Sequence, residues 1–341
     1  MRGFKDIYIN SLGQQSAAGQ GVAALRAALN GECKIVPTII QVATSRGDVA
    51  VPVYSAPETI LPDTIPESVK RRMARMSRMC FATLGEALTG AFGPDMEELR
   101  RHPERTGLVV GTAFGCMQLA NIYQRRVILE GPAGASPSLF ASSIHNSLAA
   151  HLSISFGIQG PTSTTATMEQ TTAGALQLAC DWLNQGHLDH VAVLIGDELS
   201  EYHSYFAAHT LGPGSGGLDP YSDACTLSPG EGVVCLLLSK KPLNPLAKIS
   251  EVSMYRETPP QSERYFAGVW GAEKQWSAVQ QWLGAHAAES HLPLYGSMIC
   301  GLAFEVAIAA LKVAGDARPT TCVQVADGVG QSVSLLPVLS T

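Results

Sequence analysis

Gly160-Pro-Thr-Ser-Thr-Thr-Ala-Thr-Met-Glu-Gln-Thr-Thr-Ala-Gly-Ala-Leu-Gln-Leu-Ala179 is the stretch whose reading decides the fold. Gly160-Pro161 is a turn signal, and the small and β-branched residues from Thr162 to Thr167 suit a strand. At Met168-Glu169-Gln170 the pattern tightens into an Ala- and Leu-rich segment that reads as a buried helix. A strand that turns sharply into a helix presents one side chain at the helix N-terminus, where free N–H groups and the dipole favour negative charge. A cysteine placed there gains nucleophilicity, because the field stabilises its thiolate. This chain has Glu169 at that point, with Gln170 beside it. The thiol is missing.

Composition frames the rest. A length of 341 residues suggests two domains or one large doubled fold. With 46% hydrophobic and 15% charged residues, the chain can build a large core. A net charge of −6 argues against nucleic acid as a partner. The segment from Met1 to Leu12 lacks the apolar region of a signal peptide. No apolar run reaches the length of about 18 residues that would mark a membrane span. Eight cysteines are scattered without a Cys-x-x-Cys pair, which reads as reduced core thiols of a cytoplasmic protein rather than a disulfide framework or metal site.

Along the chain, Asp6 to Leu12 reads as a first strand ending at Gly13, and Gly21 to Leu29 as an amphipathic helix. Residues 32–66 are Pro-rich and irregular, with a β-leaning patch from Val49 to Tyr54. A helix is expected from Glu67 to Phe92, carrying Lys70, Arg71, Arg72, Arg75 and Arg78. These suit an acidic partner or, more plainly, a solvated face. Thr106 to Thr112 is a buried strand leading into the loop Gly111-Thr112-Ala113-Phe114-Gly115. Ser136 to Gly157 reads as a turn and then an apolar helix. Its histidines, His145 and His151, are six apart, which is not the spacing that places metal ligands on one helix face.

His190 to Gly196 is another buried strand, followed by Asp197-Glu198. A Gly-rich loop from Leu211 to Leu218 precedes Asp219-Pro220-Tyr221, and Gly230-Glu231-Gly232 introduces the strand Val233 to Ser239. Pro242 and Pro245 bracket a connector. Beyond it come a strand from Ala247 to Tyr255, a helix from Ala272 to His286 and a short strand from Leu292 to Tyr295. An apolar helix from Gly301 to Val313 and a hairpin of Thr321 to Ala326 with Val333 to Val338, around Gly328-Val329-Gly330, complete the chain. Alternating strands and helices in both halves predict an α/β fold with largely parallel sheets.

The order of these segments resembles the condensing-enzyme (β-ketoacyl synthase) family. The likeness rests on Arg71 to Met76, Gly111 to Gly115, Ser136-Pro137 through Asn146, Gly160-Pro161, the strand ending at Gly196, Asp219-Pro220-Tyr221 and Gly230-Glu231-Gly232. It covers residues 1 to about 240 well and the remainder loosely. It implies a thiolase-like, five-layered αβαβα fold of two similar halves, residues 1–241 and a shortened 242–341. It also implies an obligate dimer burying the region around residues 136–160, with Ser143, His145, Asn146 and His151 at the partner interface.

Family chemistry implies a cysteine that takes an acyl chain from a carrier-protein thioester, and two histidines that assist malonyl decarboxylation. The cysteine's place falls on Glu169, or on Gln170 if the turn slips by one residue. Neither histidine has a counterpart: His286 lacks the Gly-Thr-Gly-Thr sequel, and Gly296 to Gly301 holds neither lysine nor histidine. The resemblance therefore implies a catalytically silent subunit of the chain-length-factor type. Such a subunit pairs with an active ketosynthase and serves an acyl carrier protein; among such partners this chain looks most like those of bacterial aryl polyene synthases. Phe114, Met117, Phe140 and Met168 would help wall the tunnel for the growing chain. The competing readings are a malonyl-thioester decarboxylase, or an acyltransferase or hydrolase, working through Glu169 or Gln170 with His145 or His203 nearby. No cofactor or metal is expected.

Overall fold

The structure is a computed structural model that describes residues 6–45, 47–71, 73–210, 227–269, 273–326 and 329–338. Arg72, the Gly-rich loop 211–218, the Asp219-Pro220-Tyr221 triplet and Gly328 lie outside the described residues.

Strands β1 (Ile7–Ser16) and β2 (Gly19–Gln20) precede helix α1 (Val22–Leu29) and a separate hairpin of β3 (Thr38–Thr44) and β4 (Gly47–Val53). Helices α2 (Glu67–Lys70), α3 (Arg75–Phe92) and α4 (Glu97–Arg101) lead to β5 (Thr106–Gly111). Next come α5 (Met117–Glu130), α6 (Pro137–Ser143), α7 (Ser147–Phe156), β6 (Thr162–Thr165), α8 (Thr171–Gln185) and β7 (His190–Asp197). They are followed by α9 (Glu201–Thr210) and β8 (Gly232–Ser239). The last part holds β9 (Ala247–Arg256), β10 (Arg264–Ala267), α10 (Glu273–Leu283), β11 (Ala288–Glu289), α11 (Leu302–Asp316), β12 (Thr320–Ala326) and β13 (Val329–Leu336).

The strands form one mixed sheet in the order β11-β10-β12-β13-β9-β1-β8-β7-β5-β6, with β2 hairpinned onto β1. Numbered within each half, as β1, β5, β6, β7, β8 and as β9 to β13, both runs read 3-2-4-5-1. Pair directions repeat as well: the second strand is parallel to the third and fourth, and the fifth is antiparallel to the fourth and first. The two halves are therefore copies of one pattern, joined edge to edge where β1 pairs with β9.

Period-two alternation sorts the side chains into layers. On β7, Val191, Val193 and Ile195 face the core built with α8 and α11, whereas Ala192 and Leu194 face the core under α3 and α7. The β13 strand shows the same division: Gly330 lies against Trp282 of α10, while Gln331 reaches the carbonyl of Glu169 just before α8. Helices α8 and α11 each touch strands of both halves and form the central layer. The result is the five-layered α/β arrangement.

Several elements differ from the sequence expectation. Strand β1 continues through Gly13 to Ser16, because the missing side chain lets α3 cross there: a Cβ on Gly13 would lie 2.1 Å from the Thr83 carbonyl oxygen. The helix expected from Glu67 to Phe92 is broken, and Ala74, at the start of α3, is extended with ψ 159°. The basic residues there are largely engaged: Lys70 pairs with Glu67, Arg78 with Glu58 and Arg75 with buried Glu231. The segment from Leu292 to Leu294 is a 3-10 turn instead of a strand. The strand positions on that side belong to β10 and to the two-residue β11.

Replacing Gly13 by Ala should cost roughly 3 kcal/mol through backbone overlap with α3. Gly315, in α11 with nothing within 4 Å of an added Cβ, is the contrasting site. Gly315→Ala should stabilise by about 0.5–1 kcal/mol, since glycine is a poor helix residue. Urea unfolding of the two variants measures both signs.

Candidate functional site

The β6–α8 turn is held in a strained shape. Met168 adopts a left-handed φ of 51°, which costs on the order of 1 kcal/mol for a side chain with a Cβ. The Thr167 N–H donates to the Thr171 hydroxyl at 3.0 Å, stitching the turn to the first residue of α8. The second half of the chain grips the turn from outside. Gln331 donates to the Glu169 carbonyl and, at 3.2 Å, to Gln324, whose own amide donates to the Ile299 carbonyl. The Tyr255 hydroxyl donates to the Gln170 side chain at 2.9 Å. Gln170 is thus turned toward β9, and Glu169 is the residue presented at the head of α8.

Glu169 faces a cavity of about 400 Å³. Its walls are mainly apolar, including Phe114, Met117, Met168, Phe206, Leu227 and Met298. Three of the four residues expected to wall a tunnel are there; Phe140 is not among the lining residues. It sits on α6, half exposed, with its ring 5.5 Å from that of Tyr123.

Three buried carboxylates build the cavity's frame. Asp197, at the end of β7, accepts from the Thr112 hydroxyl at 2.5 Å, the Phe114 N–H at 2.9 Å and the Cys300 thiol at 3.1 Å. This fixes the loop after β5 and hence the Phe114 ring. Glu198 accepts from the Met76 N–H at 3.2 Å and the Gln118 N–H at 3.1 Å, in the first turns of α3 and α5. Neither helix has a side-chain cap of its own, so one carboxylate serves both N-termini. Burial raises its pKa above the usual carboxylate value. Glu231 accepts from the N–H groups of Ala56 and Leu199 at 3.1 Å each, and from Arg75, whose guanidinium approaches to 2.5 Å. Its flanking glycines allow this packing: a Cβ on Gly230 would lie 1.9 Å from the Tyr295 carbonyl oxygen, and one on Gly232 2.6 Å from that of Gln15.

Titratable side chains divide sharply between cavity and core. His203 is the one described histidine that lines the cavity. His145 packs its ring over Gly115, and His286 is exposed beside Tyr265. His291 bonds the buried Glu305 through both its N–H and its ring Nδ1, and the Tyr295 hydroxyl bonds the same carboxylate. No cysteine lines the cavity among the described residues. Burial pushes the Cys116 thiol up to about 12, and Cys300 is held far above the ordinary value by burial and by Asp197. Neither is poised to form a thiolate nucleophile. Helix α9, which carries Tyr202, His203 and Phe206 into the lining, was not legible beforehand. Its sequence, Glu-Tyr-His-Ser-Tyr-Phe-Ala-Ala-His-Thr, has no clean apolar stripe.

Residues 61–242 match the family described as β-ketoacyl synthase, N-terminal domain. No curated protein matches the chain. Among solved structures, the chain is similar to a ketosynthase in complex with its chain length factor from Xenorhabdus doucetiae (TM-score 0.75, 17% identity, 98% of each chain covered). It is also similar to the ishigamide ketosynthase/chain length factor (0.72, 18%, 98% of this chain and 100% of that one). A β-ketoacyl synthase from Burkholderia phymatum gives 0.74 at 14% identity, with the same coverage as the ishigamide protein.

Replacing Arg75 by Met leaves Glu231 buried without its cation, and should cost roughly 3 kcal/mol. The double variant Arg75→Met/Glu231→Gln, which removes the unpaired charge and keeps an acceptor for the Ala56 and Leu199 N–H groups, should recover part of that loss. A double-mutant cycle in urea reads the coupling.

Proposed function

The chain belongs to the β-ketoacyl synthase family, and we propose that within it this protein is a catalytically silent subunit of the chain-length-factor type. It pairs with an active ketosynthase and shapes the space that holds the growing acyl chain, in a type II system such as aryl polyene synthesis. One observation carries the reading: the residue presented at the head of α8, facing the apolar cavity, is Glu169, and no thiol lines that cavity among the described residues. An acyl group on a carboxylate would be a labile mixed anhydride, and the buried cysteines are kept protonated.

The cavity itself supports a chain-holding role. It is mainly apolar, with Phe114, Met117 and Met168 in its lining, and the oxygens of Asp197 at its edge are already occupied by protein donors. The partner surface falls on α5 to α7. Phe140, Ile144 and Ile154 are exposed there, beside Ser143, His145, Asn146 and His151. Exposed apolar residues grouped on neighbouring helices suit a protein–protein interface. With Lys70, Arg75 and Arg78 already paired, Arg71 is the described cation of that segment left to meet a carrier protein.

The test is co-purification with a ketosynthase of the same organism, then malonyl-carrier-protein turnover by each subunit and by the pair. The expected result is elongation by the pair alone, abolished by replacing the partner's cysteine. Phe114→Trp in this chain should shorten the product, and Glu169→Ala should change product length without stopping turnover. If this chain alone consumes malonyl thioester, and loses that activity on mutation of Glu169, it is a decarboxylase or acyltransferase instead. A partner that is only scaffolded would give the same product from every cavity variant.

A further inference from the structure

Among the cavity's polar groups, His203 has the most constrained chemistry. Its ring Nδ1 lies 3.1 Å from the Ser200 backbone N–H and 2.8 Å from the Ser200 hydroxyl. A backbone N–H can only donate, so Nδ1 is the acceptor and carries no proton. The neutral ring's proton is therefore on Nε2. The arrangement is also a helix cap: Ser200 opens α9, its carbonyl accepts from the N–H groups of His203 and Ser204, and His203 returns a bond to the Ser200 N–H. The cap thus sets both the ring's position and its tautomer. Phe114 packs edge to face against the ring, with centroids 4.6 Å apart, and holds its orientation. Burial lowers the pKa of His203, which keeps it neutral.

Nε2–H has no partner among the described residues, and the ring lines the cavity. Among the other polar groups of the lining, the Glu169 carboxylate makes no hydrogen bond to the ring. Asp197 is occupied as described above, the Tyr202 hydroxyl donates to Asn121 at 3.1 Å, and Ser297 accepts the Ser228 N–H at 3.0 Å. Ser200 itself is buried and does not line the cavity, so it serves as the cap rather than as a nucleophile activated by His203.

We propose that His203 Nε2–H is a selectivity donor: it favours cavity occupants that carry an acceptor oxygen along the chain, such as a keto-substituted acyl group, over plain alkyl chains. A hydrocarbon occupant strips water from this N–H and gives nothing back. A chain oxygen within reach restores the bond, and a site built to hydrogen-bond a group discriminates against analogues lacking it. The inference rests on the chain-holding role assigned to the cavity above.

The experiment measures binding of pantetheine ketones, with the thioester sulfur replaced by methylene, to the purified pair. One probe carries a plain medium-length chain; the others add one keto group at successive odd carbons. At least one keto probe should bind roughly tenfold more tightly than the plain one. His203→Asn keeps an acceptor for the Ser200 N–H but is too short to reach the cavity, and His203→Phe keeps the ring. Both should erase the preference, and His203→Phe should do so by tightening plain-chain binding, because no N–H is then left unpaired. His203→Gln, which returns an amide donor near the Nε2 position, should restore it. A preference that persists in His203→Asn and His203→Phe, or the absence of any preference in the unmodified pair that still binds the plain probe, overturns the role of His203 and leaves the chain-holding role intact. If no probe binds the pair, both fall.

Discussion

Buried carboxylates at the C-terminal end of β7 and the entry to β8 are the constraint on which the rest of the site depends. Ionised or not, an acidic group inside a core is tolerated only when its oxygens are met by donors. Asp197, Glu198 and Glu231 meet theirs by recruiting backbone from distant segments: the loop after β5, the first turns of α3 and α5, and the connection before α9. Each carboxylate therefore ties several segments to the sheet at once. The cavity is the space they leave.

Much of this arrangement was legible in the sequence. The buried strands β5, β7 and β8 read as near-continuous apolar runs because both of their faces are covered, and the Gly-Pro turn before β6 with the Ala-rich α8 after it narrowed the elbow to Glu169 or Gln170. What escaped was decided by contacts far apart in the chain. Strand β10, four residues long, gains its identity from β12, which lies more than fifty residues later. Gly13 read as a strand end, and only the crossing of α3 explains why glycine sits inside a strand. The line of basic residues from Lys70 to Arg78 read as one helix face, but Arg75 is turned inward by Glu231, 156 positions away in sequence. The sequence named His203 only as a histidine near Glu169, since its role comes from the Ser200–His203 cap and from a cavity assembled by segments far apart in the chain.

The elbow keeps its shape through contacts from distant parts of the chain. Met168 remains in a left-handed conformation, and Gln331, Gln324 and Tyr255 brace the turn from the opposite half. Such bracing fixes where the wall of the cavity lies, which a chain-holding subunit needs as much as an enzyme does. Glu169 is the residue presented from that turn, and the geometry of the head of α8 helps decide what the cavity can hold.

The pairing of β1 with β9 makes the two repeated halves share one hydrogen-bonded seam, while α8 and α11 pack against both. Severing the chain at the Pro242–Pro245 connector would strip β1 and β9 of a neighbour and expose the apolar flanks of both central helices. Neither fragment would then resemble an autonomous module. The two halves of repeated topology thus share one interior.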